Sequence, residues 1–236
     1  MEIRRFFVDN SDICNNVVTL TGDEFSHMVK VLRYKVGFKA VVCANDGIER
    51  LCTVNEIGKD FATLVIEQEN VQDVKNAHVT LFAGLLKNNK LDFVVQKSVE
   101  LGVDEIIPFA SHNCAETKFA KDRAEKIALE AAKQCGSAYL SKVGSLENFD
   151  EVLARFKEFD TVLFAYENEK KNRIKDCRID GKNVALVVGP EGGFTPEETE
   201  KAKECGATIV TLGRRILRAE TAPLCVLSYI NYEFME

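Results

Sequence analysis

Two short segments carry the residues best suited to chemistry. The first, Gly189-Pro190-Glu191-Gly192-Gly193-Phe194-Thr195-Pro196-Glu197-Glu198, follows an apolar run ending at Val188 and leads into a helical pattern. Thr195 can cap that helix, Pro196 fits its first position, where a missing N–H costs nothing, and Glu198 completes a capping box. Three glycines ahead of the cap exceed what a helix start needs. They let the backbone come close to a ligand at the C-terminal edge of a sheet. The second segment, Leu212-Gly213-Arg214-Arg215-Ile216-Leu217-Arg218-Ala219-Glu220-Thr221-Ala222-Pro223, again closes a strand pattern and opens a helical one. Arg218 and Glu220, flanked by Ile216, Leu217 and Ala222, are expected to be partly desolvated together, a setting in which a fixed charge gains strength. Two such loops on one sheet edge define a cleft. A structural Arg–Glu pair at a helix start is the alternative.

Other chemistries find little material. No G-x-x-x-x-G-K-[ST], G-x-G-x-x-G or G-x-S-x-G is present, so a P-loop, a dinucleotide fingerprint and a nucleophile elbow are unsupported. His27, His78 and His112 lie in unrelated contexts, and the eight cysteines never form C-x-x-C or sit beside a histidine at zinc spacing. No metal is expected, and the cysteines read as small buried apolar residues.

The elements that must position the two loops form an alternating pattern. Strand-like runs at His78 to Leu86, Glu105 to Ala110, Thr161 to Tyr166, Val184 to Gly189 and Thr208 to Gly213 are separated by helical stretches. These helices are expected at Lys90 to Leu101, Lys121 to Cys135, Phe149 to Phe156 and Pro196 to Glu204, with a last one at Thr221 to Phe234. Such alternation implies a parallel sheet. Before about residue 72 the pattern differs, with five strand-like runs from Ile3 to Glu67 and a hairpin turn at Asn45-Asp46-Gly47. One helix, opened by a capping box at Thr21 and Glu24, carries Phe25, Met28, Val29 and Leu32 at helical spacing. The expectation is a small β-barrel over residues 1–72 and an α/β domain over 73–236.

Composition narrows the setting. The chain has 236 residues, 46% of them hydrophobic, enough for a real core, and a formal charge of −6. Neither half is basic, so nucleic acid must be held by local patches. Arg4 and Arg5 on the first strand, with Lys30, Arg33 and Lys35 at the end of the first helix, are the candidate patch. With no leader-like stretch, no run long enough to span a bilayer, and eight thiols, a reduced cytoplasmic protein is expected, with no membrane partner and no DNA.

Taken together, Ala185 to Phe194 and Leu212 to Ala222 closely resemble the two C-terminal motifs of the bacterial 16S rRNA uridine-N3 methyltransferases of the SPOUT superfamily. Gln96 to Val103, Glu130 to Gly136, Arg4 to Phe7 and His27 to Arg33 resemble the family's earlier blocks, so the likeness covers most of the chain. It implies a PUA-like N-terminal barrel for RNA, and a C-terminal domain threaded into a deep trefoil knot that holds S-adenosylmethionine. It also implies a homodimer, with each active site completed at the subunit interface, and a uridine in the decoding region of the small ribosomal subunit as target. Carried over by motif, the cofactor would touch Leu163, Ala165 and Glu167, the loop Val188, Gly189, Pro190, Glu191 and Gly192, and Leu212, Gly213, Ile216, Leu217, Thr221 and Ala222. RNA would be held by Arg4, Arg5 and Arg33. Arg218 would stabilise the uridine anion, with Glu220 either accepting the imide proton or fixing Arg218. The chain departs from the family at Ser137 and at His112-Asn113, where cationic residues are frequent, and it has no tryptophan. A binding protein of the same fold without turnover, or an enzyme acting on a ribose 2′-hydroxyl or on tRNA, are the rival readings.

Overall fold

The computed structural model describes residues 3–72, 76–179 and 181–234. They form two compact units, the residues up to 72 with Ala132–Leu140, and the remainder.

In the first unit, β1 (Arg4–Phe7), β2 (Ile13–Cys14), β3 (Val17–Leu20), β4 (Lys39–Cys43), β5 (Ile48–Ile57) and β6 (Ala62–Val71) build a curled sheet in the order β1-β4-β5-β6-β3-β2. Side chains alternate across β5 and β6, so Cys52, Val54, Ala62, Leu64 and Ile66 share one buried face with Phe6, Val18, Leu20 and Val42. Helix α1 (Gly22–Ser26) and a π-type turn at His27–Val31 cover that face with Phe25 and Met28. Register shifts at Leu51/Cys52 and Val54/Glu56 bend the longest strand pair. The sheet has one strand more than the sequence suggests, because β2 is two residues long and two residues carry no readable period.

The expected capping box at Thr21 does not form. Thr21 stands at the N-cap without a side-chain bond, and the Glu24 carboxylate, which would return a bond to the Thr21 backbone N–H, is engaged by Lys133 at 2.6 Å. Residues 132–140 belong to this unit through such links: Gln72 Nε2 donates to the Gly136 carbonyl at 2.9 Å, and the Leu140 amide to Asn45 Oδ1 at 2.7 Å. Ser137 is used locally, its hydroxyl donating to the Tyr139 carbonyl.

The hairpin between β4 and β5 places Asn45 at φ 58° and presents Asp46 to Arg50 at 2.6 Å. The hydrogen bonds from Arg50 hold the Asp46 carboxyl below its usual range, against the opposing effect of partial burial. A depressed carboxyl adds stability above the ordinary aspartate value and loses it as pH falls through the lowered one. Asp46→Asn should therefore lower the urea midpoint at neutral pH, with the difference from the parent shrinking below about pH 4. A pH-independent difference would show that the ion pair contributes nothing.

In the second unit, β7 (His78–Gly84), β8 (Glu105–Ala110), β9 (Lys142–Val143), β10 (Glu147–Asn148), β11 (Thr161–Ala165), β12 (Asn183–Val188) and β13 (Thr208–Val210) form a sheet in which every pairing is parallel. The order is β10-β8-β7-β12-β11-β13, with β9 beside β8. The central strands β7 and β12 are buried along nearly their whole length, which is why they read as unbroken apolar runs. Helices α2 (Lys90–Glu100), α3 (Lys121–Cys135, of which the residues up to Ala131 belong to this unit), α4 (Phe149–Arg155), α5 (Pro196–Glu204) and α6 (Ala222–Phe234) intervene. Strand β13 stops three residues short of Gly213. The Thr211 hydroxyl donates to the Gly213 carbonyl and accepts from its amide, so the backbone turns away from the ladder.

Candidate active site

Strand β11 lies between β12 and β13, with Ala165 in register with both Val188 and Val210. The three loops that follow these strands therefore leave the sheet side by side at its C-terminal edge, where open α/β sheets place their ligands. They enclose a cavity of about 400 Å³.

The glycine loop is built from below. Phe194 is buried among Phe109, Phe149 and Phe164, its ring centroid 4.2 Å from that of Phe164. The Gly193 amide donates to the Pro190 carbonyl at 3.0 Å, closing a turn, and Gly193 holds φ 65°. A β-carbon there would meet only the movable end of the exposed Glu167 side chain, so this position needs glycine for its conformation. The capping box ahead of α5 forms as expected, Thr195 with Glu198. The other Glu198 oxygen accepts the His112 amide at 2.8 Å. Asn113 then donates its carboxamide to the carbonyls of Gly192 and Gly193 at 3.1 and 3.3 Å. At this departure from the family pattern, a neutral side chain serves as a brace for the loop.

Lys90, the first residue of α2, brings a cation to the cavity. Its ammonium lies 3.1 Å from Glu191 Oε1 and 3.8 Å from Glu220 Oε2. Partial burial would raise the Glu191 carboxyl, but the bonds from Lys90 and from the Lys87 amide outweigh it and hold the group below its usual range. Glu220 is 16% exposed, and its buried Oε2 has no hydrogen-bond partner. Arg218 Nη1 stands 3.8 Å from Glu220 Oε1, yet the Arg218 side chain is 83% exposed. The expected joint desolvation thus holds for the carboxylate and fails for the guanidinium, because the loop after β13 projects Arg218 outward.

Of the residues assigned to cofactor from motifs, Ala165, Glu167, Val188, Gly189, Pro190, Glu191, Leu212, Gly213, Ile216, Leu217 and Ala222 line the cavity, as do Arg218 and Glu220. Three do not. Leu163 is buried one pleat deeper in β11, Gly192 faces Asn113, and Thr221 is exposed at the start of α6. Tyr166, within the strand end Leu163 to Glu167 that the motif likeness assigns to cofactor, lines the cavity too, as do Lys90 and Lys170, to which no sequence motif points. Lys90 is a hundred residues from its partner Glu191, and no local spacing signals such a pair.

Of the three arginines assigned to RNA, Arg4 and Arg33 are exposed, and Arg33 holds φ 56°. Arg5 is not available. Its side chain is 11% exposed, bonded to Glu49 at 2.5 Å and to Cys43 Sγ at 2.9 Å, because its alternate position on β1 turns it into the unit. All eight cysteines are free, but the expectation of buried apolar residues holds only for Cys43 and Cys52, since Cys14, Cys135, Cys205 and Cys225 are exposed and Cys114 and Cys177 half-buried; burial pushes the Cys52 thiol up to about 12. Among the described residues no cluster of His, Cys, Asp and Glu is suited to a metal, and no helix is long and apolar enough to cross a membrane.

Comparison with known proteins accords with this geometry. Residues 73–231 match the RNA methyltransferase domain family, and residues 20–67 the RNA methyltransferase PUA domain. Ribosomal RNA small subunit methyltransferase E from Bacillus subtilis is 35% identical over 229 residues, covering 91% of this chain and 90% of that protein. The protein of the same name from Mesomycoplasma hyopneumoniae is 32% identical, covering 95% and 97%. The crystal structure of the Neisseria gonorrhoeae ribosomal RNA small subunit methyltransferase E bound to S-adenosyl methionine superposes with a TM-score of 0.87 at 27% identity, covering 99% of this chain and 98% of that one. With likeness running through both units and a cleft formed where the shared motifs meet, the chain belongs to the ribosomal RNA small subunit methyltransferase E family of RNA methyltransferases.

Proposed function

We propose that this protein is an S-adenosylmethionine-dependent methyltransferase that methylates N3 of a uridine in 16S rRNA of the small ribosomal subunit. The observation that carries the reading is the cavity at the ends of β11, β12 and β13, with Arg218 and Glu220 at its edge, in a chain aligned over nearly its full length with small subunit methyltransferases E.

The residues present fit the cofactor. A cavity of about 400 Å³ suits a ligand of that size. Val188, Leu212, Ile216 and Leu217 offer apolar walls for an adenine ring, and Glu167 and Glu191 offer carboxylates to its positive groups. Gly193, at φ 65°, carries the turn without a side chain, and the Glu167 carboxylate lies beside it at the cavity wall. When bound, the cofactor supplies a sulfonium methyl group whose carbon–sulfur bond breaks with both electrons going to sulfur.

Uridine N3 attacks only after its imide proton leaves, because the neutral nitrogen has no free lone pair in the ring plane. Glu220 takes that proton at Oε1, while Oε2 stays against Lys90. Arg218 faces the charge delocalised onto the flanking carbonyl oxygens. Its exposed side chain, at the edge of the cavity, is open to a uridine that docks there.

The same reading gives residues 1–72 as a PUA-like barrel for RNA and 73–236 as the SPOUT catalytic domain, knotted as a deep trefoil. It places the protein in the cytoplasm as a homodimer that doubles a small number of RNA contacts. Arg33→Glu should weaken binding to small subunits and reduce the salt dependence by roughly 0.7 in log–log slope. Unchanged affinity across a salt series would remove Arg33 from the interface. The reading as a whole is tested by incubating the pure protein with labelled S-adenosylmethionine and unmodified small subunits, then digesting the RNA. The expected product is N3-methyluridine; a ribose 2′-O-methyl nucleoside, or no incorporation, would overturn it.

A further inference from the structure

Arginines in this chain are commonly tied to a nearby carboxylate. Arg5 meets Glu49, Arg50 meets Asp46 and Glu69, Arg123 meets Asp92, Arg155 meets Glu147, and Arg173 meets Asp176. Among the described residues Arg33, Arg214 and Arg215 have no carboxylate within ion-pair distance. Arg214 and Arg215 are consecutive, exposed, and line the cavity on the loop between β13 and α6. Lys170 lines it too, exposed, with its ammonium bonded to the Glu167 carbonyl at 2.6 Å and not to a carboxylate. In a protein of formal charge −6, uncompensated cations gathered at one cavity are a local attractor for an anion.

We propose that Arg214 and Arg215, with Lys170, form a phosphate clamp that grips the RNA backbone beside the target nucleotide. The inference rests on the methyltransferase reading and adds to it a second RNA-binding surface, on the catalytic unit. A base must leave its stack to enter such a cavity, while the phosphates flanking it remain outside at the rim. A guanidinium fork matches two phosphate oxygens at once, and an exposed arginine with no internal partner gives up no ion pair to do so. The clamp holds the strand, and Arg218 is left to act on the base.

The test is a salt series of binding to unmodified small ribosomal subunits, from about 50 to 200 mM, with the intact protein. Arg214→Gln/Arg215→Gln should reduce the slope of log affinity against log salt by roughly 0.7 to 0.9 for each phosphate no longer neutralised. S-adenosylmethionine affinity, measured by calorimetry, should stay at the parent value. Arg214→Lys/Arg215→Lys keeps both charges and should keep the slope. A parent that methylates subunits while the glutamine pair retains its slope overturns the clamp alone. A glutamine pair that loses cofactor affinity as well overturns it too, because the arginines then act on the cofactor loop. A parent that neither binds nor methylates subunits overturns the functional reading, and the clamp with it.

Discussion

Arg218→Ala should methylate small ribosomal subunits roughly 100- to 1000-fold more slowly than the parent while binding S-adenosylmethionine with little change. The size follows from the chemistry proposed for the site. Removing the imide proton leaves a negative charge spread over N3 and two carbonyl oxygens, and a fixed cation facing those oxygens stabilises the transition state more than the neutral base. Cofactor binding should survive because the Arg218 side chain is 83% exposed and makes one long contact, 3.8 Å to Glu220. Glu220→Gln, of similar shape but unable to take the proton, should also lose turnover. If Glu220 served only to orient Arg218, the double variant would be no slower than Arg218→Ala alone. Turnover by Arg218→Ala at the parent rate would sink the assignment of this residue.

Phe194→Ala should destabilise the second unit by about 3–5 kcal/mol, the range for removing a large aromatic from a packed core. Phe194 is 4% exposed, and its ring packs against Phe109, Phe149 and Phe164. It also forms the floor of the glycine loop, since a β-carbon on Gly189 would lie 2.9 Å from the ring. The loss of this ring would leave a void beneath Gly189 to Gly193, and the loop would relax into it. Cofactor affinity should then fall together with stability, whereas a core change remote from the loop would lower stability alone. Urea unfolding and calorimetric titration of the same variant separate these outcomes. A stable variant with unchanged cofactor affinity would mean that the Asn113 brace is sufficient by itself.

Much of the fold is legible in the sequence because local signals and tertiary structure agree. The apolar runs of β7 and β12 are buried on both faces, so no competing pattern obscures them. Thr195, Pro196 and Glu198 mark the start of α5 through bonds that span three residues, a distance the sequence itself displays. Short elements escape notice for the opposite reason. Strands β2, β9 and β10 have two residues each and exist only because a neighbouring strand offers them partners.

By itself, the sequence determined the two loops, the strand ends that carry them and, through its motifs, the family. Those properties depend on residues adjacent along the chain, where spacing and chemistry can be read together. Tertiary structure alone decided which charges are available. Arg5 and Arg33 have the same side chain, but one is turned inward onto Glu49 and the other is exposed. The Glu24 carboxylate expected to bond back to the Thr21 backbone is held instead by Lys133, more than a hundred residues away. Lys90 joins Glu191 and Glu220 in the same manner. A charge is neutralised by whatever folds to within a few ångströms of it, and that distance is set by how the strands are ordered in the sheet.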